Sequence, residues 1–255
     1  MTRTSVEPTN EDPNEWANPR LTGMALQTNT DQRIAQRRLA DAVRELNEAV
    51  VSYCGTPQEL DAFTSRVTEL TDLIATAEPI TPYLEYAIAQ TTLMAAGELD
   101  SDLQTQRDRW TDYFDLSMMI GRTNPLSPPV ELQLHDDKIT GLVTCGRRYE
   151  GPPGCVHGGY IAAVFDELLG CAQSLSGGHG MTVNLDVTYK APTPINQELE
   201  LHAWVESYVG RKIVAKGTMS ASGVVTAVAT GVFITIDGSK FRNPRSNDVH
   251  EDLGA

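Results

Sequence analysis

Gly154-Cys155-Val156-His157-Gly158-Gly159-Tyr160-Ile161-Ala162-Ala163-Val164-Phe165-Asp166 is the stretch from which the rest of the chain can be placed. A His-Gly-Gly turn opens an apolar helix, and a carboxylate sits in that helix nine residues after His157. Glycines at a helix start let another molecule approach the backbone closely. The first helical N–H groups have no partner within the helix, and the macrodipole adds positive potential there. Such a place suits a carbonyl oxygen that gains negative charge during a reaction. Asp166 lies among Ala163, Val164, Phe165, Leu168 and Leu169, and a carboxylate in an apolar helix is unusual unless it is paired or used.

Working outward, the helix is predicted from about residue 158 to 175, ended by Ser176-Gly177-Gly178-His179-Gly180. Being apolar nearly all round, it reads as a helix wrapped by a sheet. Upstream, Val130, Leu132 and Leu134 alternate, His135-Asp136-Asp137 turns, and residues 139–145 return, which reads as a hairpin. Gly151-Pro152-Pro153-Gly154 is a tight loop. Downstream, strands are expected at 181–190, 198–208, 212–220 and 224–236. Strict alternation along the first of them puts Val183, Leu185, Val187 and Tyr189 on one face and Thr182, Asn184, Asp186, Thr188 and Lys190 on the other.

The N-terminal half is different. Residues 1–29 are polar and carry Pro8, Pro13 and Pro19, so a flexible arm is expected. A helix is predicted from about 31 to 51, with Leu39, Ala42, Val43, Leu46 and Val50 as its apolar face. Thr56-Pro57-Gln58-Glu59 reads as a capping box with Pro at the first helical position. Leu60, Phe63, Val67, Leu70 and Ile74 then mark a second amphipathic helix, and together the two suggest a helical hairpin. A further helix at 81–94 and a segment at 103–119 anchored by Trp110, Tyr113 and Phe114 are expected. Residues 238–255 read as a flexible tail. The division is thus an arm (1–29), a helical extension (30–120), a sheet-and-helix domain (121–237) and a tail (238–255). The extension shows no convergent polar cluster, so its expected part is packing or lining a channel.

The net charge of −14 speaks against nucleic acid as a partner. Residues 1–124 hold 20 acidic against 10 basic side chains, residues 125–255 only 14 against 10. The basic residues of the second half gather as Arg147-Arg148, Lys190 and Arg211-Lys212. No apolar run reaches the roughly 18 residues of a membrane span. The N-terminus lacks a basic and apolar leader, so a cytoplasmic protein is expected. Cys54, Cys145, Cys155 and Cys171 show no C-x-x-C or zinc spacing and read as reduced thiols. His135, His179, His202 and His250 are scattered, so neither a metal nor another cofactor is expected.

The H-G-G-x(6)-D string, with Met181 to Pro192, Gly210-Arg211-Lys212 and Asn124 to Pro129, resembles the hotdog-fold acyl-CoA thioesterases of the phenylacetyl-CoA thioesterase branch. The resemblance covers residues 120 to 237. It implies an α+β hotdog fold, an antiparallel sheet wrapped around a long central helix, assembled as a homodimer or a dimer of dimers. It implies a site in which Asp166 of one subunit faces the oxyanion turn of its partner.

Thioester hydrolysis needs donors for the carbonyl oxygen, an attacking group and a leaving thiolate. Gly158 and Gly159 are the candidate N–H donors, and Asp166 the candidate general base or covalent nucleophile. His157 is expected to bond the loop and shape the turn rather than act as a base. Glu167, rotated about 100° from Asp166 on the helix, is expected at solvent or an interface. The resemblance gives Thr182 the orienting of a water molecule, and gives Thr188, Lys190, Arg211 and Lys212 the nucleotide part of coenzyme A, Lys190 and Arg211 as phosphate partners. Many relatives carry an amide side chain shortly before H-G-G; residues 149–155 have none, which leaves oxyanion binding to backbone or to a residue elsewhere. The rival readings are a non-catalytic acyl-CoA binding or sensing module and a hotdog dehydratase or hydratase.

Overall fold

Phe165 and Leu169 sit where the central helix comes closest to the sheet, and two glycines make that approach possible. A Cβ on Gly217 would lie 3.1 Å from Leu169 and 3.3 Å from Phe165, and one on Gly231 would lie 3.1 Å from Leu169. In a computed structural model of the chain, which describes residues 31–77 and 116–235 except 129, 136, 178 and 179 (and not the side chains of 32 and 33), the elements follow one order. Two helices, α1 (Asp31–Ser52) and α2 (Pro57–Ala75), precede the strands β1 (Glu131–Leu134) and β2 (Lys138–Thr144). The central helix α3 (Gly158–Gln173) follows, then β3 (Gly180–Tyr189), β4 (Glu198–Val209), β5 (Lys212–Ala221) and β6 (Val224–Thr235). The expected arm, the helix at 81–94, the anchors Trp110, Tyr113 and Phe114, and the tail lie outside the described residues.

The six strands form one antiparallel sheet in the order β1-β2-β4-β5-β6-β3. Period-two burial gives one face to α3: Leu199, Leu201 and Ala203, then Ile213, Ala215 and Met219, then Ala227, Ala229 and Phe233. Against them lie Ile161, Val164, Phe165, Leu168, Leu169 and Ala172 of α3. Each large side chain so buried contributes about 1.5–3 kcal/mol. This is the hotdog arrangement. The helix ends at Gln173, two residues before the predicted limit, because Ser174–Ser176 tighten into a 3₁₀ turn closed by Gly177 at φ 74°. Ser222 (φ 49°) and Gly223 (φ 78°) turn β5 into β6, as a tight two-residue hairpin with positive φ at both positions requires.

The chain divides into two compact units, one of residues 1–35 and 55–113, the other of 36–54 and 114–255. In the first, α2 begins with the predicted capping box: Thr56 Oγ1 accepts the Glu59 N–H, and Glu59 returns to the Thr56 N–H at 2.9 Å. Its stripe of Leu60, Phe63, Val67, Leu70 and Ile74 is exposed.

In the second, α1 packs by a face other than the predicted one. Leu39, Leu46 and Val50 are exposed, whereas Ala40 and Arg44 are buried. The contact is polar because Arg44 serves as a cap for loop carbonyls: its guanidinium donates to Gly121, Arg122, Asn124 and Ser127. One turn on, Glu48 accepts the N–H groups of Arg147 and Arg148, at the start of the 3₁₀ turn Arg147–Tyr149. The 116–127 loop is gripped from its other side by α3. Ser117, whose oxygen takes the Met119 and Ile120 N–H groups, also hydrogen-bonds Glu167. Glu167, expected at solvent or an interface, is half-buried against the loop; this partial burial, and secondarily the charge of Asp166, push its carboxyl above the ordinary value.

Two outcomes follow from this loop. Arg44→Met keeps the length of the side chain but leaves up to four carbonyls without their donor. A loss of about 2–4 kcal/mol is expected, read as a thermal midpoint lower by about 2–4 °C per kcal/mol. A midpoint within about 2 °C of wild type would show that water replaces the guanidinium. Glu167 binds its proton more tightly folded than unfolded, so wild-type stability falls as pH rises from near 4.5 through the raised folded value. Glu167→Gln has no such loss, and its thermal midpoint should gain on wild type with rising pH. A difference independent of pH would mean that Glu167 titrates as an ordinary surface carboxyl.

Candidate functional site

The helix start is built around one peptide group. His157 is the N-cap of α3, with extended backbone (φ −61°, ψ 131°), and its Nδ1 accepts the Gly159 N–H at 3.0 Å. A ring nitrogen that accepts is unprotonated, which puts the proton of a neutral His157 on Nε2. Its own N–H is fixed to the Tyr149 carbonyl at 2.8 Å, and its carbonyl takes the N–H groups of Tyr160 and Ile161. From the sheet, the Tyr189 hydroxyl donates to the Gly158 carbonyl at 2.8 Å. Gly158 is small for a reason: a Cβ there would lie 3.3 Å from that hydroxyl oxygen.

Of the two candidate N–H donors, Gly159 is therefore corrected. Its N–H is engaged by the imidazole, while that of Gly158 has no acceptor among the described residues. The turn is braced from behind by Tyr160, whose hydroxyl donates to the Leu126 carbonyl at 2.8 Å, and by Tyr149, packed on Tyr160 with ring centroids 4.5 Å apart. Neither tyrosine, nor the hydroxyl of Tyr189, was singled out in the sequence; their partners lie 23 to 34 residues away, where no local pattern reaches.

Asp166 lies two turns further along α3. It is exposed in the protomer rather than buried as its apolar neighbours suggested, and its Oδ1 accepts the Thr182 hydroxyl at 3.0 Å. Strict alternation put Thr182 on the opposite face of β3 from Leu185, Val187 and Tyr189. The register against β6 shows why it is not: Thr182 pairs with Phe233 and Asn184 with Val232, so Val183 is an extra residue in a β-bulge. The extra residue reverses the parity of the strand before it. Thr182 thus shares the helix-facing side with Leu185, Val187 and Tyr189.

Within one protomer the parts stay apart. Eight residues of helix at about 1.5 Å each separate Gly158 from Asp166 by about 12 Å, too far for both to meet one carbonyl group. The expected basic residues divide as well. Lys212 pairs with Ile234, which pairs with Met181 at the start of β3, and Arg211 donates to the Thr235 carbonyl beside it. Lys190 follows the other end of β3, about 30 Å along the strand, with its N–H on Thr226. Thr188 pairs with Val228 on the face turned away from α3. Arg211, Lys212, Thr188 and Lys190 are all exposed.

β3 ends the sheet, and its free edge carries Met181, Val183 and Tyr189, each about half exposed. The four cysteines are free thiols; burial pushes Cys145 up to about 12 and Cys171 well above its ordinary value, which makes both inert packing groups. No cluster of His, Cys, Asp and Glu suited to a metal ion occurs among the described residues, and no helix among them is long and apolar enough to cross a membrane.

Comparison with known proteins places this arrangement. Residues 153–227 match the family model of the thioesterase superfamily. The chain is 34 % identical over 108 residues to acyl-coenzyme A thioesterase THEM4 of Mus musculus, covering 41 % of this chain and 46 % of that protein. It is 33 % identical over 109 residues to the Bos taurus protein of the same name, covering 42 % and 45 %. The chain thus spans less than half the length of these relatives. A crystal structure of a thioesterase superfamily protein superposes with a TM-score of 0.63 at 28 % identity, covering 78 % of this chain and 90 % of that one. The matched segment runs from the loop before His157 into the first turn-proximal residues of β6, the same span that carries the helix, the pinned turn and the bulge, and over it the chain is similar to the thioesterase superfamily and has the hotdog fold.

Proposed function

We propose that the protein hydrolyses acyl-CoA thioesters to a free carboxylic acid and coenzyme A. The observation that carries this reading is the pairing of an exposed Asp166, oriented by the Thr182 hydroxyl, with an uncommitted Gly158 N–H at a helix start. The names of the matched relatives support the reaction class.

The free β3 edge supplies the geometry that one protomer lacks. Two copies pairing antiparallel through β3 cover both edges and the half-exposed Met181, Val183 and Tyr189. Such pairing sets the end of one β3 beside the start of the other. The Gly158 turn, tied to Tyr189 at the end of β3, then comes toward Asp166 and Thr182 of the partner subunit. By the same symmetry Lys190 comes toward Arg211 and Lys212 of the partner subunit. The smallest active unit is accordingly a homodimer, and one composite basic patch receives the coenzyme A phosphates, with Thr188 at its margin.

In the reaction, the thioester carbonyl oxygen receives the Gly158 N–H. Asp166 takes a proton from water as the water oxygen attacks the carbonyl carbon, and Thr182 holds one carboxylate oxygen so that the other faces that water. The tetrahedral intermediate collapses, the C–S bond breaks, and the coenzyme A thiolate leaves and is protonated. The alternative, in which Asp166 attacks directly to form a mixed anhydride that water then cleaves, uses the same contacts. Single turnover in ¹⁸O-water identifies the second route when water cleaves the anhydride at the Asp166 carbonyl carbon, because ¹⁸O then enters Asp166 and the product acid takes the unlabelled bridging oxygen. No step calls for a metal or a cofactor. The H-G-G-x(6)-D spacing, together with the Tyr189-Lys190 strand end and the Gly210-Arg211-Lys212 turn, supports a place in the phenylacetyl-CoA thioesterase branch, and four free thiols suit a reducing compartment such as the cytoplasm.

Asp166→Asn is nearly isosteric and should lower kcat by about 10²-fold or more, measured as thiol release from a panel of short, medium, long and aromatic acyl-CoA esters. A variant that keeps more than about half of wild-type kcat would make Asp166 structural, and a wild type that binds without turnover would make the protein a sensing module. Lys190→Ala and Arg211→Ala should raise KM for acyl-CoA while leaving kcat nearly unchanged. With an N-acetylcysteamine thioester, which has no phosphates, the effect should vanish; its persistence would place these residues in the fold instead.

A further inference from the structure

We propose that Tyr189 is a positioning residue for the oxyanion donor, acting together with His157 on a single peptide group. This rests on the reading of Gly158 as that donor. The carbonyl of Gly158 and the N–H of Gly159 belong to one planar amide. The carbonyl is held by the Tyr189 hydroxyl at 2.8 Å and the N–H by His157 Nδ1 at 3.0 Å. The peptide plane between Gly158 and Gly159 is thus clamped at both ends, one clamp from the sheet and one from the helix cap.

The need for two clamps follows from the residues themselves. Two consecutive glycines at a helix start have the widest backbone freedom of any pair. Rotation of the peptide following Gly158 changes ψ at Gly158, and the first turn of the helix then loses its direction. The Gly158 N–H belongs to the preceding peptide, whose carbonyl is already taken by Tyr160 and Ile161. With both flanking planes fixed, the only N–H of the turn left without an acceptor among the described residues points where those planes dictate. An oxyanion donor is effective when it is fixed before the charge develops. Tyr189 lies on the strand that also carries Thr182. One strand therefore holds the donor at its end and, in the opposed site, the carboxylate at its start.

The test uses Tyr189→Phe in the full chain, which removes the hydroxyl and keeps the ring. Expected is a loss in kcat of about tenfold, the scale of one hydrogen bond, with KM for acyl-CoA within about twofold and an unchanged mass by sedimentation. The loss should be the same for the N-acetylcysteamine thioester, since the carbonyl is common to both substrates. A loss confined to acyl-CoA, or a change in mass, would overturn the proposal, because Tyr189 would then act through Lys190 or through the β3 edge. The double variant His157→Ala with Tyr189→Phe gives a second reading. If both residues hold one amide, the double variant should lose little more than the worse single one; a product of the two losses would show that they act separately. Asp166→Asn, assayed in parallel, keeps the two readings distinguishable. Inactive Asp166→Asn with fully active Tyr189→Phe sinks only the positioning role. A wild type without turnover sinks both.

Discussion

Everything in the domain hangs on how close α3 can come to the sheet. Phe165 and Leu169 descend into the positions where Gly217 and Gly231 carry no side chain, and a single Cβ at either glycine would stand 3.1 to 3.3 Å from them. Close packing of this kind is discrete rather than adjustable. The height of the helix above β3 in turn sets the reach of two hydrogen bonds, one from Tyr189 to Gly158 and one from Thr182 to Asp166. Both chemical features of the helix are thus gauged by the same apolar contact, though neither takes part in it.

The second constraint is the edge. A sheet whose last strand offers unpaired backbone groups and half-exposed Met181, Val183 and Tyr189 is an incomplete surface. The helix spreads its two functional features over about 12 Å, and the strand spreads its cations over about 30 Å. The proposed pairing through that edge answers both the exposure and the separation. In the proposed dimer, function and assembly have one physical cause.

Polar clamps complete the design where apolar burial is thin. The 116–127 loop buries Met119 and Ile120 and supports Tyr160 and Tyr149 behind the helix start. Arg44 holds it by its carbonyls, and Glu167 holds it through Ser117. The helix α1 is joined to the domain by this guanidinium and by Glu48, not by its apolar stripe. A charge-assisted bond to a carbonyl is worth more than a neutral one, so one arginine with several acceptors can anchor a helix that buries little else.

Element types and order were legible in the sequence because they are local. Periodicity marked the strands and α3, Thr56 and Glu59 marked the start of α2, and His157-Gly158-Gly159 with Asp166 marked the place where chemistry would be sought. The rest depended on pairing partners far along the chain. Alternation alone put Thr182 on the wrong face, since a bulge at Val183 exists only relative to β6. The choice between Gly158 and Gly159 turned on a ring nitrogen and a tyrosine 31 residues away. Lys190 and Arg211, both given to the nucleotide part of coenzyme A by the resemblance, lie beside opposite ends of β3. Sequence by itself determined which residues are available, because helix starts, turns and apolar periods are set by near neighbours. Tertiary structure alone decided which of them meet, because strand parity, the commitment of each N–H and the distance between charges are properties of non-local contacts.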